Sequence, residues 1–196
     1  MPAAAQPKLE PGGVYRTHDL LQWGQNAPRL AQRLVRDGLL RQLRHGVFEA
    51  PRPTKFGLAP AADDQLVQTY LGTNDYVFTG SARWNALGLG ATGVQAVTLV
   101  YNKKRTVDVV FGKRRFLFRR VAYPSSTPPA EWFAVDLLRH CTEAGVSRDE
   151  VLAGLAIAVA QGRLDGAILL AMAKRFARAG TVAVLVAALD KGKSLT

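Results

Sequence analysis

Cysteine is almost absent from this chain, and its scarcity excludes two kinds of small protein. Cys141 is the single cysteine among 196 residues. A framework of internal disulfides and a cysteine-based structural zinc site both need several thiols, so neither can stabilise this fold. The composition fits the reducing cytoplasm, and no motif in the sequence predicts a bound metal or another cofactor.

Long apolar runs are also lacking. The longest lie around residues 151–160 and 181–189, well short of the roughly 20 residues that span a membrane. The first residues contain no apolar stretch like that of a signal peptide. We therefore expect a soluble protein with no membrane partner. Hydrophobic residues still make up 48% of the chain, which is enough for a packed core.

Acidic residues are few relative to basic ones. Lys and Arg number 26 against 15 Asp and Glu, which gives a net charge of +11 and a pI near 10.3. Two segments carry the excess: residues 1–55 hold nine basic and four acidic residues, and residues 101–123 hold eight basic and one acidic. Such clustering is typical of a nucleic-acid-binding surface, and solubility alone does not require it.

The first basic segment has the pattern of a helix-turn-helix. Thr17 is a suitable N-cap for a short first helix. After a turn, Asn26 or Ala27 would cap a second helix, because Pro28 suits the first helical turn and Gly38 suits its end. The proline- and glycine-rich residues 1–13 leave room for no more than one helical turn before this module.

The second helix is amphipathic and has the composition of a DNA recognition helix. Its apolar residues share one face and its polar residues the other: Leu30, Ala31, Leu34 and Val35 against Arg29, Gln32, Arg33 and Arg36. Arginine and glutamine can hydrogen-bond bidentately to guanine and adenine, so we expect Gln32 and Arg33 to contact bases. Arg29 and Arg36 are expected to contact phosphates. The alternative is an ordinary solvated face of an amphipathic helix.

A β-hairpin directly after this helix would form the wing. Residues 39–43 and 47–50 have strand character and flank Arg44-His45-Gly46, in which glycine can adopt a positive φ. Arg41, Arg44 and His45 would then contact the DNA backbone or an adjacent groove. With five or six phosphates neutralised, the logarithm of the affinity should fall against that of salt with a slope near −5.

The remaining sequence predicts a second domain of mixed composition. Residues 51–60 contain three prolines and are interpreted as a linker, which places a domain boundary near residue 55. Helices are expected from Asp63 and over 82–87. Three strands and then four helices should follow, at 96–101, 106–111, 115–121, 131–144, 148–161, 165–179 and 181–190. The predicted fold class is α+β: a winged helix-turn-helix at 1–55, then a domain at 56–196 with a small antiparallel sheet and a C-terminal helical layer.

The second basic segment falls largely on the predicted hairpin ends of this sheet. Its candidate residues for a second nucleic-acid or partner contact are Lys103, Lys104, Arg105, Lys113 and Arg114. Basic turns that keep strand edges from pairing with other chains explain them equally well.

No catalytic constellation is present in the sequence. The nucleophile-elbow, phosphate-loop and zinc-protease motifs are all lacking, and the three histidines are scattered. His140 lies next to Cys141, but adjacent helical residues point to different faces, so helix packing explains the pair. The prediction is a protein without enzymatic activity.

Two segments resemble a known family, the AbiEi-type antitoxins of type IV toxin–antitoxin systems. The first is Leu34-Val35-Arg36-Asp37-Gly38-Leu39-Leu40 with Arg44-His45-Gly46-Val47-Phe48. The second, more specific one is Phe78-Thr79-Gly80-Ser81-Ala82-Arg83-Trp84-Asn85-Ala86-Leu87-Gly88-Leu89, followed by basic strands. With the helical tail, the likeness spans most of the chain.

The resemblance implies a repressor and antitoxin. Its N-terminal domain would bind inverted repeats in the double-stranded DNA of its own promoter. Its C-terminal domain would counteract a nucleotidyltransferase-like toxin encoded next to it, an effect that in this family often needs no tight complex. We expect a monomer or weak dimer.

Two other functions remain open at this point. One is a stand-alone transcription regulator whose second domain mediates dimerisation or binds a ligand. The other is a basic enzyme that processes nucleic acid, for which cleavage of plasmid DNA with Mg²⁺ would be diagnostic.

Overall fold

The computed structural model describes residues 7–193, which form two compact units. The first comprises the residues up to Asn74 together with Val110–Arg114, and the second comprises Asp75–Val109 and the residues from Arg115 onward. Both units combine helices with small sheets, so the α+β class is confirmed. The boundary expected near residue 55 lies inside the first unit, because the helix that begins at Asp63 contacts the first strand.

The first unit contains a short sheet, a hairpin and three helical segments. In chain order these are β1 (Val14–Arg16), a 3₁₀ helix (Thr17–Trp23), α1 (Ala27–Arg36), β2 (Arg41–Arg44), β3 (Val47–Glu49), β4 (Arg52–Thr54), β5 (Gly57–Ala59) and α2 (Asp63–Leu71). Strand β3 lies between β1 and β2 and pairs antiparallel with both. The apolar side of α1 packs with residues of the 3₁₀ helix and β3: the buried set is Leu20, Ala27, Leu30, Ala31, Leu34, Leu40, Phe48 and Ala50.

The segment expected to be an unstructured linker contains a β-hairpin instead. Strands β4 and β5 pair antiparallel around a two-residue turn at Lys55 and Phe56. Thr54 stabilises this turn, because its Oγ1 donates to the carbonyl of Gly57 at 2.7 Å and accepts from the Phe56 N–H at 3.2 Å. Pro53 is tolerated since a two-stranded ribbon has free edges where a missing N–H costs little.

Thr17 does not cap the first helical segment. That segment is a 3₁₀ helix that begins at Thr17 itself, and Arg16 occupies the N-cap position. The Asp19 carboxylate accepts from the Arg16 N–H at 2.8 Å. The single helical turn for which residues 1–13 leave room would lie partly outside the described residues, and Pro7–Leu9 is not helical.

The second unit consists of a four-stranded sheet and five helices within the described residues. These elements are β6 (Tyr76–Thr79), α3 (Ser81–Asn85), β7 (Val97–Asn102), β8 (Val107–Phe111), β9 (Arg114–Arg120), α4 (Ala130–Arg139), α5 (Arg148–Ala160), α6 (Gly166–Phe176) and α7 (Ala179–Lys193). The helices surround a core whose largest fully buried side chains include Trp84, Trp132, Leu137, Leu155 and Leu169.

The sheet of the second unit is mixed, so the expectation of a purely antiparallel sheet is wrong. Strand β7 pairs antiparallel with β6 but parallel with β9. The order β6-β7-β9-β8 places β9 beside β7 and β8 at the edge. Strand β8 does not pair with β7, which directly precedes it in the chain, although sequential strands usually neighbour each other.

The four C-terminal helices lie where the sequence predicts them, with one clear difference. Helix α4 ends at Arg139, before the expected residue 144, because the chain turns through residues 141–145, where Gly145 adopts a positive φ of 65°. Helix α5 begins with a capping box, in which the Ser147 hydroxyl accepts from the Glu150 N–H and the Glu150 carboxylate accepts from the Ser147 N–H.

Candidate nucleic-acid interface

Helix α1 is held in place at both ends and along its apolar side. The Asn26 side chain accepts from the Arg29 N–H at 3.1 Å, which confirms it as the N-cap. At the other end Gly38 adopts a φ of 73°, and the Leu39 N–H donates back to the Leu34 carbonyl at 2.9 Å. Burial of Leu30 and Leu34, each worth about 1.5–3 kcal/mol, fixes which side faces the core.

The opposite side of α1 presents a row of cations to solvent. Arg29, Arg33 and Arg36, which we call the α1 row, are exposed, and so is Gln32 beside them. At 3.6 residues per turn the four side chains lie within about 100° of the helix circumference. Within residues 7–193, no carboxylate lies within 4.0 Å of the guanidinium groups of the α1 row. Their charges are thus available to an external anion.

A groove runs between α1 and the turn that joins β2 to β3. It has a volume of about 310 Å³, and Gln32, Arg36 and His45 are among its lining residues. His45 is exposed at the turn, where Gly46 adopts the expected positive φ of 73°. The Thr17 N–H donates to the Gly46 carbonyl at 3.0 Å and ties the turn to the 3₁₀ helix. One surface therefore joins the α1 row, Gln32 and His45.

Arg41 does not belong to that surface in the way the sequence predicts. Its guanidinium contacts the Glu49 carboxylate directly across the β2–β3 pair, with Nε donating to Oε1 at 2.7 Å. Glu49 is only 1% exposed, so its charge needs this partner. Arg41 is therefore first a structural residue, and its expected phosphate contact would compete with a buried acid.

Arg44 is also removed from the expected interface. Its guanidinium carbon lies 5.4 Å from the centre of the Tyr70 ring and 5.9 Å from that of Phe111, which are cation–π distances. Its Nη1 is buried, and no residue in the described chain accepts a hydrogen bond from it. The β2–β3 register shifts between Gln42 and Arg44, an irregularity that the local sequence does not reveal.

The predicted second basic surface is divided between two places. Lys103, Lys104 and Arg105, which we call the turn patch, precede β8, whereas Lys113 and Arg114 follow it. The turn patch belongs to the second unit, whereas Lys113 and Arg114 belong to the first.

Several of these basic residues already have acidic partners. Lys103 Nζ lies 2.8 Å from Asp75, and Arg114 Nη1 lies 2.6 Å from Asp63 and 2.7 Å from the Ala61 carbonyl. Arg114 also approaches Glu49 at 3.9 Å. Asp63, in the first turn of α2, therefore also forms an ion pair within the first unit.

A buried acid that joins several elements of the second unit was not found from the sequence. Asp136 is 2% exposed, and its carboxylate accepts from the side chains of three residues: Thr79 at 2.7 Å, Trp84 at 3.1 Å and Tyr101 at 2.9 Å. Burial, followed by the neighbouring Asp136 charge, raises the pKa of Tyr101 well above its usual value. The only available signal was that Thr79 and Trp84 lie in the segment that resembles the antitoxin family.

The adjacent pair His140 and Cys141 have separate surroundings. His140 stacks on Trp84 with ring centres 5.2 Å apart, whereas Cys141 Sγ donates to the Leu137 carbonyl at 3.5 Å. Burial raises the pKa of the Cys141 thiol, which disfavours the thiolate that a nucleophile requires. In residues 7–193, no three side chains of His, Cys, Asp or Glu are grouped so that they could hold a metal ion.

None of the helices within the described part of the chain is long and apolar enough to cross a membrane. Comparison with protein-family models finds no match for this chain, and comparison with curated proteins finds none either.

Proposed function

We propose that the first unit binds double-stranded DNA as a winged helix-turn-helix, with α1 as the recognition helix. The observation that carries this proposal is the α1 row: three exposed arginines on one helix face without an acidic partner in the described chain. A 3₁₀ helix precedes α1, and the β2–β3 hairpin follows it as a wing. This order of elements matches that of winged helices, which insert the second helix into the major groove.

The side chains on this surface suit different parts of the duplex. Gln32 and Arg33 are exposed and lie midway along the helix axis between Arg29 and Arg36, where they would contact base edges. Arg29 and Arg36 lie one turn to either side and would contact phosphates, as would His45. Since Arg41 and Arg44 have partners inside the protein, fewer phosphates would be neutralised than the sequence alone suggests.

DNA binding is tested with the duplex upstream of the protein's own gene. The R29A/R33A/R36A variant should bind at least about 100-fold more weakly than wild type, because it loses the whole α1 row. The salt slope should also become shallower by about 2 to 3, since each phosphate contact contributes about −0.9. Fluorescence anisotropy over a series of salt concentrations measures both quantities.

A charge-matched control is available in the second unit. R163A/K174A/R178A removes three exposed cations and lowers the net charge by the same amount. It should bind DNA within about threefold of wild type, since none of the three cations belongs to the α1 row. Equal losses of DNA affinity in both variants would mean that the α1 row is an ordinary solvated helix face.

We further propose, on the basis of the resemblance, that the protein represses its own promoter and acts as the antitoxin of a type IV system. The antitoxin activity would belong to the second unit, which contains the whole of the more specific motif, residues 78–89. Thr79 and Trp84 of that motif hold the buried Asp136, so their role is to stabilise the unit.

Co-expression with the adjacent nucleotidyltransferase-like gene tests the antitoxin proposal. Wild type should restore growth and repress a reporter fused to its promoter. R29A/R33A/R36A should lose repression but still restore growth, because it leaves the second unit intact. A folded wild-type protein that fails to restore growth would refute the antitoxin role and leave a stand-alone regulator.

A further inference from the structure

Helices α5 and α7 present an apolar surface to solvent. Neither 151–160 in α5 nor 179–189 in α7 contains a charged residue. Ile157 is 53% exposed and Val184 is 42% exposed, and both lie within these runs. The solvent-facing side of a helix in a soluble protein is normally polar, so an apolar side of this kind marks a surface that another molecule covers.

The two helices enclose a groove that could accept a large side chain. The groove has a volume of about 730 Å³ and is lined largely by small or branched apolar residues, among them Ala153, Ala156, Ile157 and Ala187. The alanines leave the depression open, while Ile157 projects beside it. The surface thus has an apolar protrusion, Ile157, beside an apolar recess lined by alanines.

The ends of this α5–α7 groove carry opposite charges. Arg148 Nη2 donates to Thr181 Oγ1 at 3.0 Å, so α5 and α7 begin at the same end and run parallel. Asp149 lines the groove at that end, and Lys191 lines it toward the other end. Both side chains are exposed.

We propose that the α5–α7 groove binds a second copy of this chain in an antiparallel, two-fold symmetric dimer. A two-fold axis across the groove brings Asp149 of each copy to Lys191 of the other, and it brings the two Ile157 side chains to the two recesses. A parallel arrangement would set like charges against each other, which is unfavourable. Two-fold dimers are the commonest closed assembly because one self-complementary surface suffices.

The size of the surface sets the expected affinity. Helix α5 has 13 residues and is therefore about 20 Å long, and two adjacent helices are about 20 Å wide. The dimer would bury roughly 1,000 Å² in total, at the low end of specific interfaces. The dissociation constant should be in the micromolar range, so the dimer forms in a concentration-dependent way.

Sedimentation equilibrium without DNA tests this proposal separately from the proposed function. Between about 1 and 200 μM, the weight-average mass of wild type should rise from 21.2 kDa toward twice that value. Ile157→Asp should weaken association at least about 30-fold, because a charge would be buried at the centre of the interface. Ile168→Asp is the matched control, since Ile168 is an exposed isoleucine on α6 outside the groove.

A charge exchange tests the antiparallel arrangement. Lys191→Asp should weaken association about five- to tenfold by placing two carboxylates together, and D149K/K191D should restore it to within about twofold. Circular dichroism melting curves verify that each variant is folded. A monomer at 200 μM, equal behaviour of the two isoleucine variants, or no recovery in D149K/K191D would each overturn the proposal, whatever else the groove binds.

Discussion

The α1 row and the basic segment 101–123 are both rich in cations and differ in what those cations contact. The α1 row extends into solvent without an acidic partner in the described residues. In the segment 101–123, by contrast, three cations form ion pairs: Lys103 with Asp75, Arg114 with Asp63, and Arg119 with Asp108. The proposed DNA surface therefore consists of cations that have no acidic neighbour in the fold. The density of charge in the sequence does not distinguish these from paired cations.

The largest expected effect is on stability, and it should come from Glu49, the buried acid that contacts two arginines. Glu49→Ala should lower the free energy of unfolding by about 3–5 kcal/mol, because Glu49 is buried and contacts Arg41, Arg114 and the Ala61 N–H. Chemical denaturation monitored by circular dichroism measures the change. Glu10→Ala removes an exposed carboxylate and should change stability by less than about 0.5 kcal/mol. Similar values for both variants would mean that the Glu49 cluster is not structural.

The second-largest expected effect is on DNA binding, and it compares the turn patch with the α1 row. K103A/K104A/R105A removes the turn patch, and R29A/R33A/R36A removes the α1 row, with the same loss of charge. The first should weaken DNA binding by less than about threefold and the second by about 100-fold. Anisotropy titrations on one duplex at one salt concentration make the comparison. If the turn patch variant lost as much affinity, the distinction between paired and unpaired cations would not predict the DNA surface.

A smaller effect separates base contacts from phosphate contacts on α1. Gln32→Ala should lose about 1–3 kcal/mol of discrimination at one base pair, while the salt slope stays unchanged, since glutamine neutralises no phosphate. Titration of duplexes with single base-pair changes would identify that position. A uniform loss across all duplexes would instead assign Gln32 to the backbone contacts.

The smallest expected effect is on stability and concerns the ion pair between Lys103 of the turn patch and Asp75. The hydrogen bond from Lys103, and after it that from Tyr123, lowers the pKa of Asp75 below its ordinary value of 3.8. Because the pKa of Asp75 is lower in the folded state, its ionised carboxylate stabilises the protein above pH 3.8. This contribution is lost as the pH falls through the folded-state pKa. The stability difference between wild type and Asp75→Asn should thus shrink from pH 7 to pH 3. It should stay below about 0.5 kcal/mol because the pair is exposed, and a growing difference would contradict the assignment.

Local features of the fold were accessible from the sequence. Helix α1 is specified by residues within a short stretch, namely Asn26 as its N-cap, Gly38 at its end and the spacing of its leucines. The exposed side of α1 follows from the same spacing. Hydrogen bonds and side-chain periodicity within one element need no knowledge of distant parts of the chain.

Features that depend on distant partners were not accessible. The parallel pairing of β7 with β9, the burial of Asp136 among three donors and the placement of Arg44 on Tyr70 and Phe111 all join residues far apart in sequence. The β4–β5 hairpin was missed for another reason. Its prolines suggested a linker, but the Thr54 side chain supplies the turn hydrogen bonds.

The assignment of Val110–Arg114 to the first unit has a consequence for dissecting this protein into fragments. The chain changes unit after Asn74, after Val109 and after Arg114, so no single truncation point yields a complete first unit. A fragment that ends at Asn74 would lack the Arg114 guanidinium beside Glu49 and the Gly112 N–H that donates to the Leu43 carbonyl at 2.9 Å. Grafting those five residues back through a short linker would restore the contacts that truncation removes.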